Sequence, residues 1–327
     1  MKKIIIIICL LLTVTIIGMQ KTQFPQTDIS NGIIKARLYL PDPRQGYYRG
    51  TRFDWAGVIS SLEYKGHNYF GQWFEKYSPT IHDAIMGPVD SFTPAGYSEA
   101  LPGGTFLKIG VGILSKPDDT PYGFSKNYDI VNTGEWKIKT RPDNVRFVHI
   151  LNDKEYSYEY EKEVQLLKDK PVLVLTHRLT NRGKRPIETD VYNHNFFMIN
   201  NQPTGPGFTV EFPFNLTGEF RNGADIAEIH NNMIILRREL ARGETIYCGK
   251  LEGFSDSNKD YDIKVENHKT GAGVRITCDC PLSKIVFWSC PTTLCPEPYI
   301  QIKVEPGKEF SWKIFYEFYT VPTVPGS

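Results

Sequence analysis

Glu309-Phe310-Ser311-Trp312-Lys313-Ile314-Phe315-Tyr316-Glu317-Phe318-Tyr319 places Phe310, Trp312, Ile314, Tyr316 and Phe318 at every second position. A period of two puts those five side chains on one face of an extended strand. Pro306-Gly307 supplies the turn before it. The pattern recurs upstream. Tyr156, Tyr158, Tyr160 and Val164 share one face, with Glu159, Glu161 and Glu163 on the other. Leu173, Leu175, His177 and Leu179 form the face of the next strand, closed by Asn181-Arg182-Gly183. Residues 187–197 follow, then 233–237, 244–250, 261–266, 273–278, 284–289 and 299–304. Nearer the start, residues 34–40, 53–64, 105–114, 135–140 and 145–151 read as strands. Helical periodicity is almost absent. A single twisted sheet rarely exceeds about 10 strands, so roughly fifteen or more imply two layers. The expected fold class is therefore all-β, a large antiparallel β-sandwich.

The stretch 72–104 shows no clear strand and is expected to be an ordered loop lining a site. It is too aromatic for disorder, carrying Trp73, Phe74, His82, Asp83, Phe92 and Tyr97. No internal repeat or low-complexity linker divides the chain, so residues 21–327 are expected to form a single domain. Residues 1–20 carry Lys2, Lys3 and an apolar run from Ile4 to Met19, the physical form of a signal peptide. Gly18-Met19-Gln20 is a poor cleavage site, which leaves an uncleaved N-terminal anchor as the alternative. A periplasmic or secreted location is expected, with membrane contact only through such a leader.

Losing Lys2 and Lys3 with the leader takes the formal charge from +1 to −1. No basic stripe or arginine-rich arm is present, which argues against nucleic acid as a partner. Five cysteines follow the leader: Cys248, Cys278, Cys280, Cys290 and Cys295. Their spacing is not that of a C-x2-C zinc pair, so no metal is expected, and buried thiols or one disulfide are favoured.

Two segments carry a family resemblance. Glu188-Thr189-Asp190-Val191-Tyr192-Asn193-His194-Asn195-Phe196-Phe197 resembles the histidine strand of aldose 1-epimerases. Val286-Phe287-Trp288-Ser289, then Leu294-Cys295-Pro296-Glu297-Pro298 and Val304-Glu305-Pro306-Gly307, is similar to the C-terminal stretch of the same galactose mutarotase-like superfamily, particularly its sugar-phosphate-epimerase branch. Arg49-Gly50-Thr51-Arg52-Phe53 resembles the arginine-bearing strand near the start of these folds. The pattern is also similar to that of an uncharacterised secreted bacterial subgroup. The resemblance implies a supersandwich that interconverts sugar anomers without a cofactor. It assigns His194 as catalytic acid and Glu297 as catalytic base, with Arg52, and His82-Asp83 in place of a second histidine, holding the sugar.

The residues themselves fit that chemistry. Histidine exchanges a proton near neutral pH. Asp190, Tyr192, His194 and Phe196 alternate onto one strand face, a polar face with two aromatics. Pro296 and Pro298 stiffen the backbone around Glu297. Trp73, Tyr192, Asn193 and Trp288 complete the expected contacts with a mono- or oligosaccharide. His194 and Glu297 are expected to bracket a space the size of one pyranose ring. His177 and Trp312 read as core. A non-catalytic carbohydrate-binding protein on the same fold is the alternative function. A polysaccharide lyase or hydrolase is a third, disfavoured by the lack of a helical domain.

Overall fold

Every strand pairing among the described residues is antiparallel. The structure is a computed structural model and describes residues 24–324, so the expected leader lies outside the described residues. The first strands are β1 (Gln26–Ser30), β2 (Ile34–Tyr39), β3 (Val58–Tyr64), β4 (His67–Asn68), β5 (Gly87–Phe92), β6 (Thr105–Lys108), β7 (Gly112–Ser115) and β8 (Ile130–Asn132). Next come β9 (Glu135–Thr140), β10 (Asn144–Leu151), β11 (Tyr158–Leu166), β12 (Val172–Asn181), β13 (Ile187–Phe196), β14 (Phe208–Glu211), β15 (Thr217–Gly218) and β16 (Ala227–His230). The last are β17 (Met233–Leu236), β18 (Ile246–Glu252), β19 (Asp262–Asn267), β20 (Ala272–Cys278), β21 (Lys284–Cys290), β22 (Thr293–Val304) and β23 (Glu309–Thr320). No α-helix occurs among the described residues.

Ten strands form one large sheet, in the order β16-β17-β14-β19-β20-β23-β12-β11-β10-β9. Six form the facing sheet, in the order β15-β18-β21-β22-β13-β5, and two small sheets, β1-β2-β3-β4 and β6-β7-β8, complete the described strands. This is the expected β-sandwich. Tyr160, Leu175, Trp312 and Phe318 of the large sheet share one core with Ile187, Val191, Phe287 and Ile302 of the smaller one. Because side chains alternate, burying Val191 and Ile302 inward turns Tyr192, His194, Glu297 and Tyr299 to the outer face of the six-stranded sheet.

Charged groups are sealed between the layers. Asp90 of β5 lies 2.6 Å from Lys162 Nζ of β11 and 3.1 Å from His177 Nε2 of β12. Its other oxygen accepts a hydrogen bond from Asn193 Nδ2 at 2.6 Å. Burial works against the Asp90 charge, yet Lys162 and His177 hold its carboxyl well below the usual range. Asp54, which Tyr160 and Lys162 also contact, is pushed up to about 7 by burial. His177 stacks on Trp312 at 4.4 Å, so both are core residues as expected.

Several boundaries depart from the sequence expectation. The stretch 72–104 contains β5, whose six residues are all buried. With both faces covered, the strand has no reason to alternate. Its Pro88 is tolerated because β5 is an edge strand. Residues 105–114 are a hairpin rather than one strand: Gly110 takes positive φ between β6 and β7, and Gly112, the first residue of β7, does too. In the region 53–64 only Val58–Tyr64 is strand. The strand expected from Tyr299 begins at Thr293, so Glu297 lies within β22 and not in a turn. All five described cysteines are free thiols.

Replacing Lys162 by Met strips Asp90 of its nearest counter-charge inside the sandwich. The variant is expected to lose about 3–5 kcal/mol of unfolding free energy in urea titrations. A loss under about 1 kcal/mol would show that Asp90 needs no buried cation.

Candidate active site

Three cross-strand rows build a floor on the outer face of the six-stranded sheet. Tyr247 pairs with Trp288, which pairs with Cys295. Val286 pairs with Glu297, and His194 pairs with Val89 on the far side. Lys284 pairs with Tyr299, Tyr299 with Tyr192, and Tyr192 with Ser91. The β13–β22 ladder stops at Tyr192↔Tyr299 and resumes only as a single bridge between Phe197 and Leu294. Pro296 and Pro298 fall in that gap and have no N–H to offer. Asn195 Nδ2 instead reaches the Pro296 carbonyl at 2.8 Å.

Across the gap His194 Nε2 meets Glu297 Oε1 at 3.3 Å, with both side chains nearly buried. The two do not bracket an empty space, as the sequence suggested; they lie side by side on one floor. Neighbouring strands at about 4.8 Å spacing allow nothing wider. Phe196 stacks on the His194 ring at 3.9 Å, and the edges of Phe53 and Trp288 complete its cage. Burial, reinforced by Arg52, drives the imidazole pKa well below its ordinary value, so His194 rests neutral. Burial pushes the Glu297 carboxyl up to about 7, although Arg52 and Lys284 pull the other way.

Arg52 is clamped beside this pair. Its guanidinium lies between the Phe53 and Phe124 rings, at 4.5 and 4.4 Å. It contacts Asp83 Oδ1 at 2.6 Å and donates to Tyr192 Oη at 3.1 Å. Burial alone would lower its pKa, but Tyr192 and Asp83 raise it, so the charge is secure. Trp73 stacks on Phe196 at 4.9 Å and donates its indole N–H to the Ile85 carbonyl.

A cavity of about 510 Å³ opens above this floor. Of the sequence-expected residues, Arg52, Trp73, Asp83, Tyr192, His194, Trp288 and Glu297 line it. His82 does not; its Nε2 lies 2.9 Å from Asp83 and orients that carboxylate from behind. Asn193 is a correction. It points into the sandwich, where it bonds Asp90 and receives the Tyr316 hydroxyl. The alternation that exposes Tyr192 and His194 forces Asn193 inward.

Phe124, Arg221, Tyr247, Lys284 and Tyr299 also line the cavity and were not singled out in the sequence. Tyr299 follows Glu297 by two positions, so strand alternation alone could have found it. Phe124, Arg221 and Tyr247 arrive from distant segments and carry no local signal. Away from the cavity, Cys278, Asp279 and Cys280 offer three ligand atoms within 4.8 Å of one another. No other described His, Cys, Asp or Glu completes that group. Asp279 Oδ1 already accepts the Lys313 backbone N–H.

No family model matches this chain, and no curated protein does. Solved structures do. A galactose mutarotase related enzyme from Lactobacillus acidophilus is 13% identical, with 91% of this chain and 98% of that one covered at a TM-score of 0.53. The fold is galactose mutarotase-like. An aldose epimerase homologue from C. elegans aligns at 13% identity, 91% and 99% coverage and a TM-score of 0.54. A galactose mutarotase-like protein from Clostridium acetobutylicum gives 11%, 90% and 95%, and 0.55. A galactose mutarotase-like fold fixes the sandwich and leaves chemistry to the side chains.

The raised Glu297 carboxyl has a thermodynamic signature. A carboxyl that binds its proton more tightly when folded favours the folded state at low pH. That advantage is lost as pH rises through the folded value. The window runs from the ordinary 4.5 to about 7. Relative to Glu297→Gln, wild-type stability should fall by roughly 3 kcal/mol from about pH 4 to about pH 8 in paired denaturation curves. A pH-independent difference would mean that the carboxyl is solvated.

Proposed function

We propose that the protein is an aldose 1-epimerase-like enzyme that binds a sugar and interconverts its anomers by acid–base ring opening. The observation that carries this is the His194–Glu297 contact on the floor of an aromatic-walled cavity. The anomeric hydroxyl and the ring oxygen share one carbon, so the groups serving them must also be close neighbours. Side by side suits that demand better than face to face. The names of the structural neighbours from L. acidophilus and C. elegans point the same way. The basic start and apolar run of residues 1–20 support an activity outside the cytoplasm, in the periplasm or beyond the cell.

At rest below about pH 7 the pair holds one proton, on Glu297, with His194 neutral. Passing that proton across the contact yields a carboxylate and an imidazolium. Glu297 then takes the proton from the anomeric hydroxyl while His194 gives its proton to the ring oxygen. The bond from anomeric carbon to ring oxygen breaks and a carbonyl forms. Rotation about the adjacent carbon–carbon bond presents the other face. Reclosure returns both protons, and the pair ends as it began. Arg52 and Asp83 supply a fixed donor and acceptor for the sugar hydroxyls.

The non-catalytic alternative draws on one observation: His194 is strongly biased toward its neutral form, which cannot donate the required proton. The two readings separate cleanly. Exchange NMR across a panel of reducing sugars should detect anomer interconversion above the buffer rate. Glu297→Gln should cut it by at least about 100-fold while leaving binding within about tenfold, because the loss falls on proton transfer. Binding without exchange in the wild type would leave a sugar-binding module.

The pair must hold one proton to work, so kcat/KM should fall as pH rises through about 7, as Glu297 loses its proton. A rate that climbs through that range would instead assign Glu297 as an independent base. A pH–rate profile on the best sugar decides between them.

A further inference from the structure

We infer that the site takes an oligosaccharide, with its reducing-end ring over His194 and Glu297 and the next ring over Tyr247. This rests on the carbohydrate reading above and deepens it. Only a reducing-end residue carries a free anomeric hydroxyl, so that ring must occupy the acid–base pair, and the rest of the chain must leave by an open side.

The open side is marked. A second cavity of about 820 Å³ adjoins the first over β15 and β18, and Tyr247 and Arg221 line both. Tyr247 sits beside Trp288 in register, and Trp73 touches Trp288 at 5.5 Å. Aromatic residues thus lead from Trp73 and Trp288 at the first cavity to Tyr247 on the neighbouring strand, which lines both. Tyr247 lies two strands across from Glu297 and two residues out of register with it, roughly 12 Å away along the sheet. One pyranose ring does not span that distance, and two linked rings do. Sugars present apolar C–H faces, for which a half-buried tyrosine ring is a suitable platform.

Glycines keep the strand surface around the platform low. Gly249 and Gly218 line the second cavity, and a Cβ at Gly249 would lie 2.9 Å from the Tyr247 hydroxyl. Arg221 lies over the Tyr247 ring at 5.8 Å and makes no ion pair among the described residues. Its guanidinium therefore has donors available for the hydroxyls of a ring on that platform. Glu219 and Lys250 add an acceptor and a donor farther out.

The test uses the full chain and three matched series: glucose, cellobiose and cellotriose; glucose, maltose and maltotriose; galactose, β-1,4-galactobiose and its triose. Calorimetry gives affinity, and exchange NMR gives kcat/KM. In at least one series the disaccharide should exceed the monosaccharide by about tenfold in both quantities. Tyr247→Ala should reduce that ratio to near one, and Tyr247→Phe, which keeps the ring, should preserve it. Equal values for mono- and disaccharide, with exchange catalysed, would overturn this inference and leave the proposed activity standing. Length-dependent binding without exchange would support the extended site and remove the activity. No binding in any series would overturn both.

Discussion

The carboxylate of Asp90, sealed between the two sheets, is the constraint on which the rest of the structure depends. It joins β5 of the six-stranded sheet to Lys162 and His177 of the ten-stranded one. A buried charge of this kind is tolerable only if its partners stay in place, which makes the sandwich intolerant of sheet slippage. The same carboxylate holds Asn193, and the Tyr316 hydroxyl bonds both Asn193 and Asn195. The inner face of β13 is therefore fixed on either side of His194. A histidine whose two chain neighbours are locked by buried hydrogen bonds has little freedom in its own position. The interior polar network and the cavity floor are two faces of one strand.

The other half of the pair is placed by a deliberate gap in hydrogen bonding. Pro296 and Pro298 flank Glu297 inside β22, where a central strand would normally exclude proline. Their missing N–H groups interrupt the ladder to β13 just where His194 and Glu297 need to meet. Asn195 satisfies one orphaned carbonyl, which keeps the gap from costing more than it does. The contact is thus made between strands that are held together on both sides and unpaired in the middle. Aromatic rings close over it, and their low polarity is what displaces both pKa values.

Sequence alternation was sufficient for the sandwich, because long half-buried strands such as β11 and β23 announce themselves by period. It failed for β5, which is covered on both faces and so has no period to read. It failed again at the β6–β7 hairpin, where two glycines hid a turn inside an apolar run. In the site, His194, Glu297 and Arg52 were legible through short motifs. Asn193 was misplaced because its position inside a motif was given more weight than its position in the alternation. In the alternation of β13, Asn193 shares a face with Thr189 and Val191. Phe124, Arg221 and Tyr247 were invisible for a different reason: tertiary folding alone brings them to the cavity.

The cavity combines two regimes that ask opposite things of the chain. At its floor, the acid–base pair needs a dry, rigid setting, since a proton shared between two weakly solvated groups shifts readily on small changes in their surroundings. At its rim, Arg221 and Lys284 are exposed and make no ion pair among the described residues. Arg221 and Lys284 rest over tyrosine rings instead, contacts worth about 0.5–1 kcal/mol at exposed sites and so easily exchanged for a ligand hydroxyl. Rigidity comes from the sandwich, through Asp90 and Tyr316. Adaptability comes from Arg221 and Lys284, exposed cations that lie outside the buried core. A change of substrate at the rim is therefore possible without disturbing the pair, whereas a change beneath β13 would alter both the fold and the proton chemistry together.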